Sequence, residues 1–455
     1  MKHLYSLISQ FLYLLSESNV RRNLNSVYQN IVGIRAGNNS LDFGDSRNNN
    51  RDKSLQRILA TSFFEYEKGN FDRATEIWLE TGGAKKEELE AIGFSKANVK
   101  ILGAGFNQIG HLAGGLGTRA MLKKMKLTND NYIYLCDGQT NSFYANLFGS
   151  YFPVINLQPS ELSIITRTLW PINEDVYTVD TKKGTLDFLS AHNYALKEFN
   201  LDESVSSLLE LTTEQIDLGW ECLKRYGINE KSWFITLHVR ENNNDPHSKS
   251  YARNADPYTY LPMIDFIRSL GGFVIRIGNK NMTALPRISG LIDLTREKTS
   301  EILDIFALSQ CRFMVGTNSG PSAVPSTFGI PVLITNAVAL GKIAYFPNSF
   351  SLPKIVITRS GTSIPFSRVL NSALGGLDSY LENWDQFETG MSWRNNTEDE
   401  ILNGAIEMLR PAGLKLTSDQ INIVNNIVPK FTNETMPISE YFILKHYNLF
   451  EEIIH

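Results

Sequence analysis

Two short stretches carry the residue types that chemistry needs, at spacings that bring them together. In WFITLHVRE, Trp233 to Glu241, side chains of an extended strand alternate, so Thr236, His238 and Arg240 share one face and Ile235, Leu237 and Val239 take the other. His238 and Arg240 therefore reach the carboxyl end of the strand together. A guanidinium there suits a diphosphate, because its planar donor fork grips two oxygens and keeps its charge at any working pH. The plainer use of the same residues is an arginine paired to a rim carboxylate and a hydrogen-bonded core histidine. The second stretch is GTNSGPSAVPSTFG, Gly316 to Gly329, which follows the apolar run CRFMV. Asn318 or Ser319 can cap a helix, Gly320 permits close backbone approach, and Pro321 is tolerated in a first turn. The unpaired N–H groups of such a start face outward and make an anion seat from main chain. Ordinary capping would use the same residues.

Arg276 lies inside the apolar run FVIRIG and must be paired or aimed at a ligand, since an unpaired buried charge is very costly. Asp293, in LIDLT, is the partner in reach, and a structural pair and a ligand contact both satisfy the requirement. YARNADPYTY places Asp256 as a cap and Pro257 in a first turn, which leaves Arg253 and Asn254 for ligand contact. Nearer the N-terminus, Gly103-Ala-Gly105 and Gly110 give G-x-G-x-x-x-x-G, which lacks the third glycine of a dinucleotide fingerprint at its required spacing. Only Asp137 could serve as the acidic partner, so no nicotinamide site is expected. His111 is a candidate general base, or with Gly110 a contact for an incoming hydroxyl; the alternative is a helix-start histidine bonded to its own loop.

The elements that must position these residues follow from periodicity. VKILGAG, YIYLC and Pro153 to Leu157 are apolar runs separated by helix-like sequence, which predicts an α/β domain with a parallel sheet over residues 98–200. The boundary is set in the polar stretch around Lys182-Lys183-Gly184 and the helix candidate beyond it. A second α/β domain over residues 201–410 alternates WFITLHV, FVIRIG, LIDLT, CRFMVG and IPVLIT with amphipathic helices. Residues 411–455 read as a helical extension. Residues 1–97 form an N-terminal helical region with an apolar helix candidate, Leu4 to Leu15, and a hairpin at 58–82. There Gly69, Phe71, Ala74 and Trp78 resemble one tetratricopeptide repeat, a pattern that an ordinary helical hairpin also fits. In open parallel sheets ligands bind beyond the carboxyl ends of the strands, and that rule selects the loops holding His238, Arg240, Arg253, Asn254, Arg276, Asn318, Ser319 and Gly320.

Composition narrows the class. The 455 residues carry 44 Lys and Arg against 48 Asp and Glu, a net charge of −4, so no global positive field draws in a nucleic acid. The three cysteines have no disulfide or zinc-ligand spacing, which fits the cytosol. Leu4 to Leu15 falls short of the roughly 20 residues of a membrane span, leaving at most a peripheral contact at the inner face of a membrane.

Taken in order, QIGHLA, ITLHVRE, YARNADPYTY, VIRIGN, LIDLT and ILDIFALSQCRFMVGTNSGPSAVPSTFGIPV resemble the glycosyltransferases of bacterial surface-polysaccharide clusters over roughly residues 98–410. That resemblance implies a GT-B fold, two facing Rossmann-like domains with parallel sheets, the nucleotide-sugar held by the C-terminal one. HVRE resembles the His-x-Arg element of fucosyltransferases, whose arginine contacts the donor diphosphate, and SGP resembles the phosphate-binding helix start of heptosyltransferases. Donor roles for Arg240, Asn318, Ser319 and Gly320, with His238, Arg253, Asn254 and Arg276 lining the site, are what this implies. The expected reaction moves a sugar from a nucleotide-sugar co-substrate to a carbohydrate or lipid-linked hydroxyl, with Glu241, His111 or Asp137 as base. No Asp-x-Asp stands in a donor loop, so no essential metal is expected; fixed cations and dipoles would stabilise the leaving group. A nucleotide-sugar epimerase, a protein-modifying glycosyltransferase and a catalytically lapsed scaffold are the alternatives.

Overall fold

The computed structural model describes residues 73, 99–102, 106, 108–136, 141–156, 178–202, 206–241, 251–296, 300–338, 349–370, 391–410, 417–431 and 437–450. The apolar helix candidate Leu4 to Leu15, the hairpin at 58–82 except Arg73, Gly103, Gly105 and Asp137 lie outside them. The chain divides into two compact units.

The first unit holds a three-stranded parallel sheet, β1 (Val99–Leu102), β2 (Asn131–Cys136) and β3 (Val154–Asn156), in that spatial order. The Tyr132 to Cys136 side chains are all buried, the continuous apolar pattern of a strand covered on both faces. Asn141 Oδ1 accepts from Tyr144 N at 2.8 Å and starts the helix Ser142–Leu147 that precedes β3. The polar stretch around Lys182 is a β-hairpin, β4 (Thr178–Thr181) paired antiparallel with β5 (Gly184–Asp187). Gly184 turns it at φ +107°, a conformation that favours glycine.

The second unit takes Phe188 onward together with Ile109–Met121. Its main stretch begins where the helix Phe188–Leu201 leaves β5. Its sheet has six parallel strands: β6 (Phe234–His238), β7 (Phe273–Arg276), β8 (Leu291–Asp293), β9 (Met314–Gly316), β10 (Val332–Ala337) and β11 (Phe350–Pro353). The spatial order is β11-β10-β9-β6-β7-β8. The chain lays β7 and β8 to one side of β6, then crosses back to put β9 on the other side. The direction of winding thus reverses between β6 and β9, the place where open parallel sheets bind ligands beyond the carboxyl ends of their strands.

Helices cover this sheet. Thr212 and Gln215 form a reciprocal capping box on Thr213–Lys224, which packs on Glu301–Gln310. Gly219 makes that approach close: a Cβ there would lie 2.0 Å from a ring atom of Phe306. The helices Leu261–Ser269 and Glu398–Leu409 pack on each other. Beyond the sheet, β12 (Ile355–Thr358) pairs antiparallel with β13 (Met391–Arg394). Within residues 411–455 the described part is helical and packs into this unit. Ile438 bridges to Ser351, Glu407 accepts from Ser439 Oγ at 2.6 Å, and Phe450 stacks on Phe366. Each buried aromatic or aliphatic side chain of this kind contributes roughly 1.5–3 kcal/mol.

Candidate active site

The reversal point between β6 and β9 is where the candidate residues gather. His238 ends β6 and is 4% exposed, and its ring bridges two loops. Nδ1 lies 3.2 Å from the Ile277 carbonyl and Nε2 lies 3.0 Å from Ser319 Oγ. Burial pushes His238 down from its ordinary 6.5 to about 4, opposed by the Ile277 carbonyl bond and reinforced by the charges of Arg276 and Arg240. At neutral pH the ring is therefore uncharged. A carbonyl can only accept, so Nδ1 carries the proton and Nε2 accepts from the Ser319 hydroxyl.

Two residues further on, Arg240 N donates to Thr317 Oγ1 at 2.9 Å, and the Arg240 carbonyl accepts from Ala255 N at 3.1 Å. The main chain of Arg240 is thus gripped by the loop after β9 and by the segment holding Arg253 and Asn254. Asp256 accepts from Tyr258 N at 2.9 Å and Pro257 opens the 3₁₀ turn Pro257–Tyr260, the capping that the sequence implies. Asn318 Oδ1 accepts from Val338 N at 2.7 Å and so ties its loop to the end of β10. Asn318 is a brace here. Ser319 gives no side-chain cap to the 3₁₀ turn Gly320–Ala323, because its hydroxyl is spent on His238. Ser322 Oγ donates to the Thr317 carbonyl at 2.8 Å and closes the turn from inside.

The QIGHLA segment meets the same place. A Cβ at Gly110 would stand 2.6 Å from Gly320 Cα, and one at Gly320 would stand 2.9 Å from Gly110 N. Two glycines in direct backbone contact leave no room for a side chain, so Gly110 positions the SGP turn. Ile109–Met121 belongs to the second unit, and this contact is one of those that tie it there. Beside it His111 is exposed. Its turn Ile109–His111 runs into a π-helical turn, Leu112–Leu116.

Arg276 and Glu241 are used differently. The Arg276 guanidinium is fully buried, with Nη2 2.6 Å from Glu241, Nη1 3.2 Å from Asp293 and Nη1 donating to the Thr283 carbonyl at 2.6 Å. The other Glu241 oxygen accepts from Thr283 N at 2.8 Å. Asp293 also takes bonds from Leu285 N and from Thr295 N and Oγ1. The Arg276–Asp293 pair expected from the sequence is present, and Glu241 is its second counter-ion. Such an arrangement gives the buried cation two counter-ions, leaving only Nε without a hydrogen-bond partner among the described residues, and fixes the loop after β7. It leaves Glu241 with both oxygens engaged, a poor state for a base.

His238 with Ser319 and Gly110 with Gly320 are in direct contact, Arg240 is bonded through its main chain to Thr317 and to Ala255, next to Arg253 and Asn254, and Arg276 and Glu241 form the adjoining brace. Thr317 and the Ile277 carbonyl are the partners the sequence reasoning missed. Thr317 stands in the GTNSGP motif, so its position carried a signal; a main-chain carbonyl carries none. Among the described residues no group of three or more His, Cys, Asp and Glu side chains is arranged to hold a metal ion, and no helix is long and apolar enough to cross a membrane.

No family model matches the sequence, and no curated protein does. Among solved structures the chain is similar to a glycosyl transferase family 9 protein from Veillonella parvula DSM 2008, at 13% identity and a TM-score of 0.37, over 68% of this chain and 96% of that one. It is also similar to the E. coli ADP-heptose lps heptosyltransferase II, at 9% identity and a TM-score of 0.42, over 69% of this chain and 98% of that one.

Proposed function

We propose that this chain is a glycosyltransferase that moves a sugar from a nucleotide-sugar donor to a hydroxyl acceptor, in the assembly of a surface polysaccharide or glycolipid, without an essential metal. One observation carries the reading: the His238–Ser319 contact sits at the reversal point of a six-stranded parallel sheet, with Arg240 bound by its main chain to the same loop. In folds of this kind nucleotide phosphates are bound at that point. The family resemblance of HVRE and SGP supplies the substrate class.

In this reading the Arg240 guanidinium and the Ser319 and Gly320 N–H groups hold the donor diphosphate, with Arg253 and Asn254 lining the site. The acceptor oxygen attacks the anomeric carbon, the bond from that carbon to the diphosphate oxygen breaks, and the departing charge is met by fixed donors. The acceptor proton passes to a base. His111 is the candidate we favour, because it stands next to the Gly110–Gly320 contact and Glu241 is committed to Arg276. Asp137, outside the described residues, stays a second candidate. Arg276 and Glu241 act by positioning.

A thermal-shift panel of UDP-, GDP-, ADP- and CMP-sugars tests the reading, since a ligand of the native state raises its apparent stability. One nucleotide class is expected to raise the melting temperature, and Arg240→Ala to weaken that ligand by roughly ten- to a hundredfold, the loss of a charge-assisted bidentate contact. Absence of any nucleotide effect, or an unchanged affinity in Arg240→Ala, overturns it.

A further inference from the structure

One buried cation in the second unit is used by nothing described so far. Lys354 follows β11 at the same carboxyl edge of the sheet and is 3% exposed. Its backbone N–H donates to the Ala337 carbonyl at 2.9 Å, and its Nζ donates to the Asn254 carbonyl at 2.7 Å. Asn254 is itself an odd residue: its side-chain oxygen is buried with no hydrogen-bond partner among the described residues. The segment that carries it is bonded to Arg240 through Ala255. Lys354 thus joins the edge strand to the loop that lines the candidate donor site.

A buried ammonium has three N–H donors and needs a counter-charge, and one neutral carbonyl answers only one of those donors. Among the described residues the surrounding elements supply no uncommitted acid. Asp256, beside Asn254, is exposed and accepts from Tyr258 N. Tyr260 and the Asn336–Asn396 pair, next to Pro353, bond to one another and to Thr335. Glu400 and Glu407, on the helix that packs behind β11, are held by Arg394 and His446 and by Ser439. Glu241, next to Arg240, is committed to Arg276, Glu398 and Asp399 are exposed with Asp399 paired to Lys445, and Arg253 and Arg240 are cations. Burial accordingly pushes the Lys354 amine down from its ordinary 10.5 to about 7.

We propose that Lys354 and the Asn254 side-chain oxygen form a further contact of the donor site, at which the Lys354 amine takes up a proton as a nucleoside diphosphate seats. This rests on the glycosyltransferase reading above. The amine and the amide oxygen present a donor beside an acceptor, suited to a ligand that carries both an anionic oxygen and hydroxyl groups. A bound anion supplies the missing counter-charge, so the ammonium form is favoured in the complex and the neutral form in the free protein.

The test is calorimetric titration of the full chain with uridine, guanosine, adenosine and cytidine diphosphates at pH 8, in HEPES and in Tris. These buffers differ in ionisation heat, so proton uptake shows as a buffer-dependent binding enthalpy. The expected result is an uptake of about one proton per site in the wild type, lost in Lys354→Met and in Lys354→Gln, the second keeping an N–H for the Asn254 carbonyl. The wild-type measurement carries the test without either variant. A diphosphate that binds with no buffer dependence, or with the same uptake after Lys354→Met, overturns the proposal while the donor-site reading stands, provided Arg240→Ala still weakens binding. If no nucleoside diphosphate binds, both fall.

Discussion

The uncharged state of His238 sets a pH dependence that can be measured without knowing any substrate. In the folded protein this ring titrates at about 4, because it is buried and faces two arginines; unfolded, it returns to 6.5. The unfolded chain therefore takes a proton between pH 6.5 and 4 while the native chain does not, so stability falls as pH falls through that window and is fully present above it. Each pH unit across the gap is worth about 1.4 kcal/mol, and the gap amounts to roughly 3 kcal/mol. Other groups also titrate in acid, so the comparison is with His238→Gln, whose amide keeps a donor for the Ile277 carbonyl and an acceptor for the Ser319 hydroxyl. Urea unfolding from pH 7 to pH 4 is expected to cost the wild type about 3 kcal/mol more than the variant over the same range. Glu400 lies outside this window: burial alone would raise its carboxyl, but His446, the Thr397 N–H and Arg394 together bring it down to about 2. A difference below about 1 kcal/mol, or a His238 ring resonance titrating near 6.5 by NMR, would refute both its burial and its bond to Ser319.

Gly110→Ala drives a methyl group into Gly320 Cα, backbone against backbone, and is expected to cost roughly 1–3 kcal/mol and to weaken nucleotide binding; Gly149→Ala, with nothing within 4 Å, is the control for both. Glu241→Gln removes one of two counter-ions from the fully buried Arg276 and is expected to lower unfolding stability by about 2–4 kcal/mol, while turnover of the folded fraction at saturating donor stays within about threefold; a collapse of kcat with unchanged stability would make Glu241 the base after all. Ser319→Ala is expected to leave nucleoside diphosphate affinity within about threefold but to narrow the discrimination between sugars of one nucleotide class by roughly tenfold or more, read as kcat/KM ratios. Donor turnover is expected to survive EDTA dialysis, and its loss with recovery on adding Mg²⁺ or Mn²⁺ would overturn the metal-independent route.

Period-two alternation in WFITLHVRE placed His238 and Arg240 at a strand end, because the identities of neighbouring side chains record which face each one takes. The glycines and proline of GTNSGPS likewise record a turn that few other residues can make. What the sequence left open were partnerships across many residues. Arg276 pairs with Glu241, 35 positions away, as well as with the nearby Asp293, and only the parallel register of β6 beside β7 brings them together. Ser319 read as a helix cap by type, and its hydroxyl went to His238 because a buried imidazole nitrogen needs a donor more than a half-buried helix start does. Gly110 read as a contact for an incoming hydroxyl, and nothing in the residues around it announced the contact its lack of a side chain allows with Gly320. The β4–β5 hairpin was passed over because its polar strands carry no alternation to reveal them.

The direction of the hydrogen bond between His238 and Ser319 decides what the SGP loop offers a ligand. A charged imidazole would donate from Nε2 and leave the Ser319 hydroxyl hydrogen for a phosphate oxygen. The neutral ring, with Nδ1 committed to the Ile277 carbonyl, takes that hydrogen itself. Ser319 Oγ then has only lone pairs to offer, and a fully ionised phosphate has no hydrogen to give it. In the proposed donor site the diphosphate is therefore met by N–H groups, from the Ser319 and Gly320 main chain and from guanidinium, while the Ser319 oxygen is suited to a hydroxyl of the sugar. On that reading main-chain amides bind the part every nucleotide-sugar shares, and the hydroxyl oxygen selects among the sugars. The same buried histidine that costs stability in acid thus fixes the polarity of the loop beside it, which is a reason for a protein to keep an imidazole where a hydrophobic side chain would pack at lower cost.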